Sequence, residues 1–545
     1  MELNLPALLE AVAATIPDRE SLRFGDRRFT WAQTTERTRR LASVLLSHGL
    51  TIKGDHDAAE PWQSVHDHVA LYLFNGNEYL ECMLGAYKAR CAPFNVNYRY
   101  VADELRYVLA DAAARAVVYH GAFAPTLAEV LDDLPDLGLL LQVDDGSGNE
   151  LLPGALDYES ALRAASPRLP DELVASWSPD DLYILYTGGT TGMPKGVLWR
   201  QADFLVSALG VLPESEEISS IDEIVAKAGR GRVRALPAPP FMHGAAHWNA
   251  ISAWVAGGTV IIQSNPTSFD AEDVLAAAAQ HHATSLLVVG DPMARPLLDS
   301  LESSDHDLTS LRHVLSGGAV LSDETKRRLT RALPGVTVID VLGSSESGRQ
   351  AIGMTHESAD SGFVPGPNTA VLDESRTRPL RPGDPQLGWL AKHGRVPLGY
   401  LGDPGKTAAT FPVIGGVRYA VAGDRARLRP DGSIELHGRE SATVNTGGEK
   451  VFVEEVESAL KRHPAIHDAV VVGRPSGRWG EEVVAIVSLR PGASASDASL
   501  QATCAETLAG FKVPKAFIRL PEVLRSPAGK ADYRWALEVA KKDLQ

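Results

Sequence analysis

Residues Tyr186-Thr187-Gly188-Gly189-Thr190-Thr191-Gly192-Met193-Pro194-Lys195-Gly196 set glycines, threonines and a lysine just after the apolar segment Leu182 to Leu185. Those residue types suit the binding of phosphate. Glycines let the backbone curl until several N–H groups face one point, threonine hydroxyls add donors, and Lys195 supplies positive charge. A Walker A loop would end in Gly-Lys-Ser/Thr, whereas here Pro194 precedes Lys195 and Gly196 follows it. A Gly/Thr-rich hairpin turn is the competing reading of the same residues.

The loop resembles the signature of the adenylate-forming enzymes, the group of acyl-CoA synthetases, luciferases and peptide-synthetase adenylation domains. The usual form carries Ser where this chain has Gly188, so one hydroxyl is missing. The resemblance implies that Thr187, Gly188, Gly189, Thr190, Thr191 and Gly192 contact ATP. Further pieces follow in the family's order. Pro237-Ala238-Pro239-Pro240-Phe241-Met242-His243-Gly244 ends a strand at a turn, and His243 matches the residue beside the carboxylate substrate, with His247 and Trp248 as candidate pocket walls. Ser316-Gly317-Gly318-Ala319 matches the turn bordering the adenine and the acyl group. Asp340-Val341-Leu342-Gly343-Ser344-Ser345-Glu346 resembles the Tyr-Gly-x-Thr-Glu motif, which implies nucleotide contacts from Asp340, Gly343, Ser344 and Ser345 and makes Glu346 and Thr187 the candidate Mg2+ ligands. Leu342 replaces the usual Tyr, so aromatic stacking on adenine is lost. In Ala422-Gly423-Asp424 the acid matches the ribose-binding aspartate, and Arg439 matches the arginine closing the large domain. Gly448, in Asn445-Thr446-Gly447-Gly448-Glu449-Lys450, matches the turn beside the pantetheine of coenzyme A, with Lys450 next to it. Lys530, in Arg525-Ser526-Pro527-Ala528-Gly529-Lys530, matches the catalytic lysine.

The chemistry implied needs these parts together. Attack of a carboxylate on the α-phosphate of ATP brings two anions into contact, and donors aimed at such developing charge are often worth roughly 3–4 kcal/mol each. Lys530, Lys195, Glu346 through Mg2+, and His243 form the expected catalytic set. The resemblance then implies an AMP-forming acid-thiol ligase that makes an acyl-adenylate and passes the acyl group to CoA. Its motifs look most like those of bacterial lipid-degrading synthetases, so a fatty acid or a sterol side-chain acid is the expected substrate. The alternatives are a ligase loading a carrier-protein thiol and a CoA ligase for an aromatic acid. Small residues such as Gly244, Ala245, Gly290 and Gly317 leave room for a hydrophobic acid, and no basic residue stands out for a second carboxylate. Asp291, the one acid placed to hold an amino acid's ammonium, precedes Pro292 and reads as a turn former.

These groups must be carried by a large scaffold. A chain of 545 residues implies at least two domains, and 44% hydrophobic residues suffice to build them. Between the motifs, strand-like and helical stretches alternate: Val69 to Phe74, Glu81 to Ala89, Ala92 to Asn95, Asp103 to Ala112, and again Thr259 to Gln263, Ala271 to Gln280, Ser285 to Val289 and Asp323 to Ala332. That alternation predicts a doubly wound α/β sheet. The resemblance adds a distorted barrel and a small mobile α+β domain, with a boundary between 1–439 and 440–545 and a hinge near Ser441. A polar insert from about Thr51 to Asp67 carries His56, Asp57, His66, Asp67 and His68; their spacing suits no standard zinc pair, and a solvated loop explains them.

The formal net charge of −16 argues against nucleic acid as a partner. Three cysteines, Cys82, Cys91 and Cys504, read as reduced thiols, and no apolar run is long enough to span a membrane, so a cytoplasmic location is expected. The partners expected are a carboxylic acid, ATP and CoA. The oligomeric state is open, and a homodimer is compatible with the sequence.

Overall fold

In the computed structural model, residues 2–187, 193–211, 220–355, 362–439, 442–446, 449–476, 480–508, 510–526 and 529–543 are described. Near the N-terminus, Thr30 and Gln33 form a reciprocal capping box that starts the helix Trp31–Ser47. That helix buries Trp31 against Trp254, with ring centroids 5.8 Å apart. The expected strand–helix alternation is present. Five parallel strands pair in the order Ala92–Asn95, His68–Tyr72, Ala114–His120, Leu139–Val143 and Leu156–Asp157. His68–Tyr72 is buried throughout, as a strand covered on both faces must be.

A second, nine-stranded sheet carries most of the motifs. Its parallel centre runs Thr337–Ser344, His313–Gly317, Ser285–Val288, Arg234–Pro237, Thr259–Ile262 and Glu20–Phe24. Antiparallel strands finish both edges, Gly348–Thr355 and then Val364–Pro365 on one side and Arg27–Thr30 on the other. In a parallel sheet the strand ends and following loops form a common rim. His243, Gly317 and Glu346 therefore come from different stretches of sequence to one side of the molecule.

Two smaller sheets complete the large part of the chain. Leu182–Thr187 pairs antiparallel with Lys195–Arg200, which pairs in turn with Gly399–Tyr400. Six strands between Thr369 and Arg439, all paired antiparallel, end at Ile434–Arg439. From Thr443–Thr446 onward the strands join a separate five-stranded sheet, packed by the helices Val453–Leu460, Asp497–Ala505 and Tyr533–Lys542. Cys82, Cys91 and Cys504 are free and buried, and burial raises each thiol's pKa.

The polar insert departs from the solvated loop expected of it. His66, Asp67 and His68 are buried, and His56, His66 and Asp181 bring ligand-type atoms within 4.8 Å of one another. The atoms a metal would need are already engaged. The Arg90 guanidinium grips the Asp181 carboxylate at 2.6–3.2 Å, His66 Nδ1 bonds Arg90 O at 2.8 Å, and His66 Nε2 accepts from the Leu182 N–H at 3.3 Å. The cluster fastens the insert to the start of the strand leading into the glycine-rich loop. The same insert supports the loop beyond Gly399: Gly402 N–H donates to Trp62 O at 2.8 Å.

Candidate functional site

The strand Leu182–Thr187 is apolar and buried up to Tyr186, and its register sets Thr187 opposite Lys195. The two strands that flank the glycine-rich segment are antiparallel partners. Gly188, Gly189, Thr190, Thr191 and Gly192 lie outside the described residues. Asn95 fixes the strand's end, accepting from Tyr186 N–H at 2.7 Å and donating to Tyr186 O and Met242 O, both at 2.8 Å. The Lys195 ammonium is paired with the Asp403 carboxylate. In this arrangement its charge is engaged by a protein partner.

His243 sits between the strand Arg234–Pro237 and the helix Gly244–Val255, whose N-cap it is. Asn75 clamps the segment before it, donating to Pro239 O at 3.2 Å and accepting from Phe241 N–H at 2.6 Å. The residue is half-buried as a whole, but its Nε2 is sealed from solvent and has no hydrogen-bond partner in the structure. Burial, reinforced by the Lys530 charge, pushes the ring's pKa down to about 3, so the imidazole is neutral at pH 7. His247 and Trp248 are tied together through Tyr183: its hydroxyl meets His247 Nε2 at 2.5 Å and accepts from Trp248 Nε1 at 2.6 Å.

Lys530 is carried to this rim by the small domain. Ser526 N–H donates to Lys530 O at 2.8 Å. Gly529, at φ +69°, lies over Val289 and Pro292, where a side chain would meet the Val289 carbonyl at 3.3 Å. Lys530 Cε is 3.9 Å from the point where a side chain on Gly318 would begin, and Gly318 itself has φ +87°. Arg295 holds the two parts together by donating to the carbonyls of His467 and Lys461 at 3.0 Å each. Lys530, Gly318 and His243, far apart in sequence, therefore share one corner.

Glu346 stands at the tip of the hairpin formed by Thr337–Ser344 and Gly348–Thr355. Trp199 Nε1 donates to Ser345 O at 3.0 Å, and the Tyr400 hydroxyl donates to Glu346 Oε1 at 2.9 Å. The donor set fits Mg2+: a half-buried carboxylate with spare lone pairs, close to the hairpin that carries Thr187, suits a hard cation shared with phosphate oxygens. Ser344 Oγ bonds Ser347 Oγ at 2.9 Å within the turn.

Other expected residues have structural partners. The Asp340 carboxylate is buried against Lys326 at 3.0 Å, and burial raises its pKa. At Gly343 a Cβ would collide with Gly348 O, so the hairpin itself requires glycine there. Gly317 lies against the Val341 carbonyl, and Ala319 packs partly into the core. Asp291 is buried and accepts from Ser322 N–H at 2.9 Å and Oγ at 3.1 Å, which leaves it bound within the fold. Asp424 and Arg439 are direct partners across an antiparallel pair, with Gly423 and Gly438 at positive φ beside them. Lys450 pairs in register with Asn445, and Gly448 lies outside the described residues. Asn75, Asn95, Tyr400 and Asp403 escaped the sequence reading; Asn95 ends the strand Ala92–Asn95 and Asn75 lies three residues beyond His68–Tyr72, which was the available signal.

A large α/β domain built from sheets, an antiparallel strand pair flanking a glycine-rich segment, and a small α+β domain delivering a lysine to the rim define an adenylate-forming enzyme. The chain belongs to the AMP-binding enzyme family: the family's main model matches residues 9–401 and its C-terminal domain residues 455–530. It is 51% identical over 542 residues to the medium-chain acyl-CoA ligase Mig of Mycobacterium avium, covering 98% of each chain. It is 39% identical to a 3-oxocholest-4-en-26-oate–CoA ligase of Rhodococcus rhodochrous, covering 98% of this chain and 96% of that one. The fold matches an anthranilate CoA ligase, AuaEII, in complex with anthranoyl-AMP, at TM-score 0.82, 21% identity and 99% and 98% coverage. It also matches ATP-bound MatB of Rhodopseudomonas palustris, at TM-score 0.80, 23% identity and full coverage of both chains.

Proposed function

We infer that the protein is an AMP-forming acyl-CoA ligase for a hydrophobic carboxylic acid, a fatty acid or a sterol side-chain acid. The observation that carries this reading is the meeting of Lys530, Gly318 and the unpartnered His243 Nε2 at one corner of the rim. A neutral, buried ring nitrogen without a partner is costly to maintain unless a ligand satisfies it. The substrate carboxylate is assigned to that position. The Lys530 ammonium then faces the charge that builds as carboxylate oxygen attacks the α-phosphate, and Tyr400 orients Glu346 toward the phosphates. Mg2+, when bound at Glu346 with Thr187 nearby, supplies further charge neutralisation.

Pyrophosphate leaves, and the acyl-adenylate holds a carbonyl open to a thiol. Gly448 and Lys450 are assigned to the second step, in which CoA displaces AMP. Because Lys530 occupies the corner during the first step, the small domain must turn about residues near Ser441 before the second. The similarity to Mig and to the cholestenoate ligase supports CoA as the acceptor and a lipid acid as the donor. The capture of Asp291 by Ser322 argues against an amino acid substrate.

The test is release of AMP and pyrophosphate from ATP across acetate, octanoate, palmitate, a sterol side-chain acid, benzoate and phenylalanine, with and without CoA. Acid-dependent AMP and a CoA thioester with the lipid acids are expected. ADP as product, turnover only with a carrier protein, or preference for acetate or phenylalanine would refute the reading.

A further inference from the structure

Resting on that reading, the geometry points to Arg349 as a specificity-determining residue that recognises an oxygen-bearing group at the far end of the acyl chain. We propose that the preferred acid carries a carbonyl or second carboxylate there.

The acyl chain is assigned a course that starts at His243. The helix Gly244–Val255 runs directly from it, and Ser252 on that helix donates to Leu209 O at 3.2 Å. At 1.5 Å per residue, Ser252 lies about 13 Å along the helix from His243, a distance suited to a medium-chain acid. The middle of this span is aromatic. Trp248 lies beside Gly244, where a side chain would meet its ring at 3.3 Å, and it packs edge-on against Phe204 at 5.7 Å; Phe204 stacks on Tyr183 at 3.8 Å. The polar atoms of Tyr183 and Trp248 are spent on each other, so these rings present hydrocarbon and ring surface.

The far end differs in kind. Phe204–Ala208 forms a turn of π-helix, a local departure often found at functional sites. Two residues beyond it stands Gly210, φ +64°, over which the Arg349 guanidinium lies so closely that a Cβ there would overlap it. No hydrogen bond or ion pair engages that guanidinium among the described residues. Beside it, the Ser207 hydroxyl is fully buried and also lacks a partner. Ser207 stays close because Gly348, the residue before Arg349, has no side chain to hold it off: a Cβ would meet Ser207 O at 3.0 Å. A guanidinium whose donors have no partner among the described residues matches a carboxylate by two parallel bonds and a ketone by one. An unbranched hydrocarbon tail would offer it no acceptor.

The experiment compares kcat/KM for dodecanoate, dodecanedioate and an ω-oxo acid of the same length, using the full chain with ATP, magnesium and CoA. The native protein should favour the oxygenated acids, and Arg349→Met should lower that ratio about tenfold or more. Preference for the dicarboxylate over the ω-oxo acid would assign the site to an anion, and the reverse to a ketone. Arg349→Gln, which keeps hydrogen bonding without charge, serves if the Met variant unfolds, and it should lose the dicarboxylate preference first. Equal loss for all three acids in either variant, with the ratio intact, overturns the proposal while leaving the ligase reading in place. Absence of AMP release with every acid overturns both.

Discussion

The Tyr400 hydroxyl donates to Glu346 Oε1 at 2.9 Å, joining residues 54 apart in sequence. Tyr400 is buried, its ring is tilted against Phe411 at 5.8 Å, and its backbone pairs with the strand that follows the glycine-rich loop. One side chain thus links the acid assigned to magnesium with the hairpin assigned to phosphate. Hydrogen bonds to charged groups are worth about 1.5–3 kcal/mol. Tyr400→Phe keeps the ring packing and removes only that bond, so the magnesium concentration giving half-maximal AMP formation should rise about tenfold. A magnesium titration at saturating acid checks this, and an unchanged midpoint would remove Tyr400 from the site.

Asp403 holds the Lys195 ammonium that is assigned to phosphate. The pair is about one-third exposed, and exposed pairs contribute only about 0–1 kcal/mol. Asp403 also caps the helix Pro404–Thr410 by accepting from Lys406 N–H at 2.8 Å, a role that Asn fills equally well. Asp403→Asn should therefore lower the KM for ATP up to about fivefold at unchanged thermal stability. A raised KM would instead make Asp403 part of the nucleotide site.

Lys530 and Gly448 should separate the two half-reactions. Lys530→Ala should suppress acid-dependent AMP formation by about a hundredfold or more, yet still allow conversion of supplied acyl-adenylate and CoA to thioester. Gly448→Leu should do the reverse. Quench-flow measurement of each step distinguishes them, and loss of the same step in both would refute a rotating small domain.

Acid should destabilise the fold through its buried histidines. His66, His120 and His247 are buried, and desolvation lowers each pKa from its ordinary 6.5 to about 4. Above pH 6.5 these rings are neutral in both folded and unfolded chains. Between pH 6.5 and about 4 the unfolded chain takes up protons that the folded one refuses, so stability falls as pH falls, by up to about 1.4 kcal/mol per pH unit for each ring. Thermal midpoints measured from pH 7 to 4 should decline, and less steeply in His120→Gln. A flat profile would show that these rings protonate within the fold.

Arg295 should govern docking of the small domain, since it donates to two of that domain's carbonyls at 3.0 Å. Arg295→Met should slow adenylation several-fold while sparing thioester formation from supplied acyl-adenylate. Equal slowing of both steps would assign Arg295 to general stability.

The sequence by itself determined the alternation of strand and helix, because apolar periodicity and glycine stops act over a few neighbouring residues, as in Trp31–Ser47 and Ala271–Gln280. It also determined the order of the motifs, since backbone turns that approach a ligand need glycine or a small side chain at fixed spacing, as at Gly317 and Gly318. Tertiary structure alone decided what each polar side chain touches. Asp340 looks like part of a nucleotide motif, yet folding turns it toward Lys326, and Lys195 meets Asp403 from 208 residues away. His66 and His68 look solvated in a polar stretch but are buried once the insert folds under the strand beginning at Leu182. Arg349 lies just past the acid motif and is inconspicuous in sequence; its position over Gly210 arises only when the hairpin packs against the π-helical turn. Such pairings depend on which distant chain segments pack together, and local sequence pattern carries no record of them.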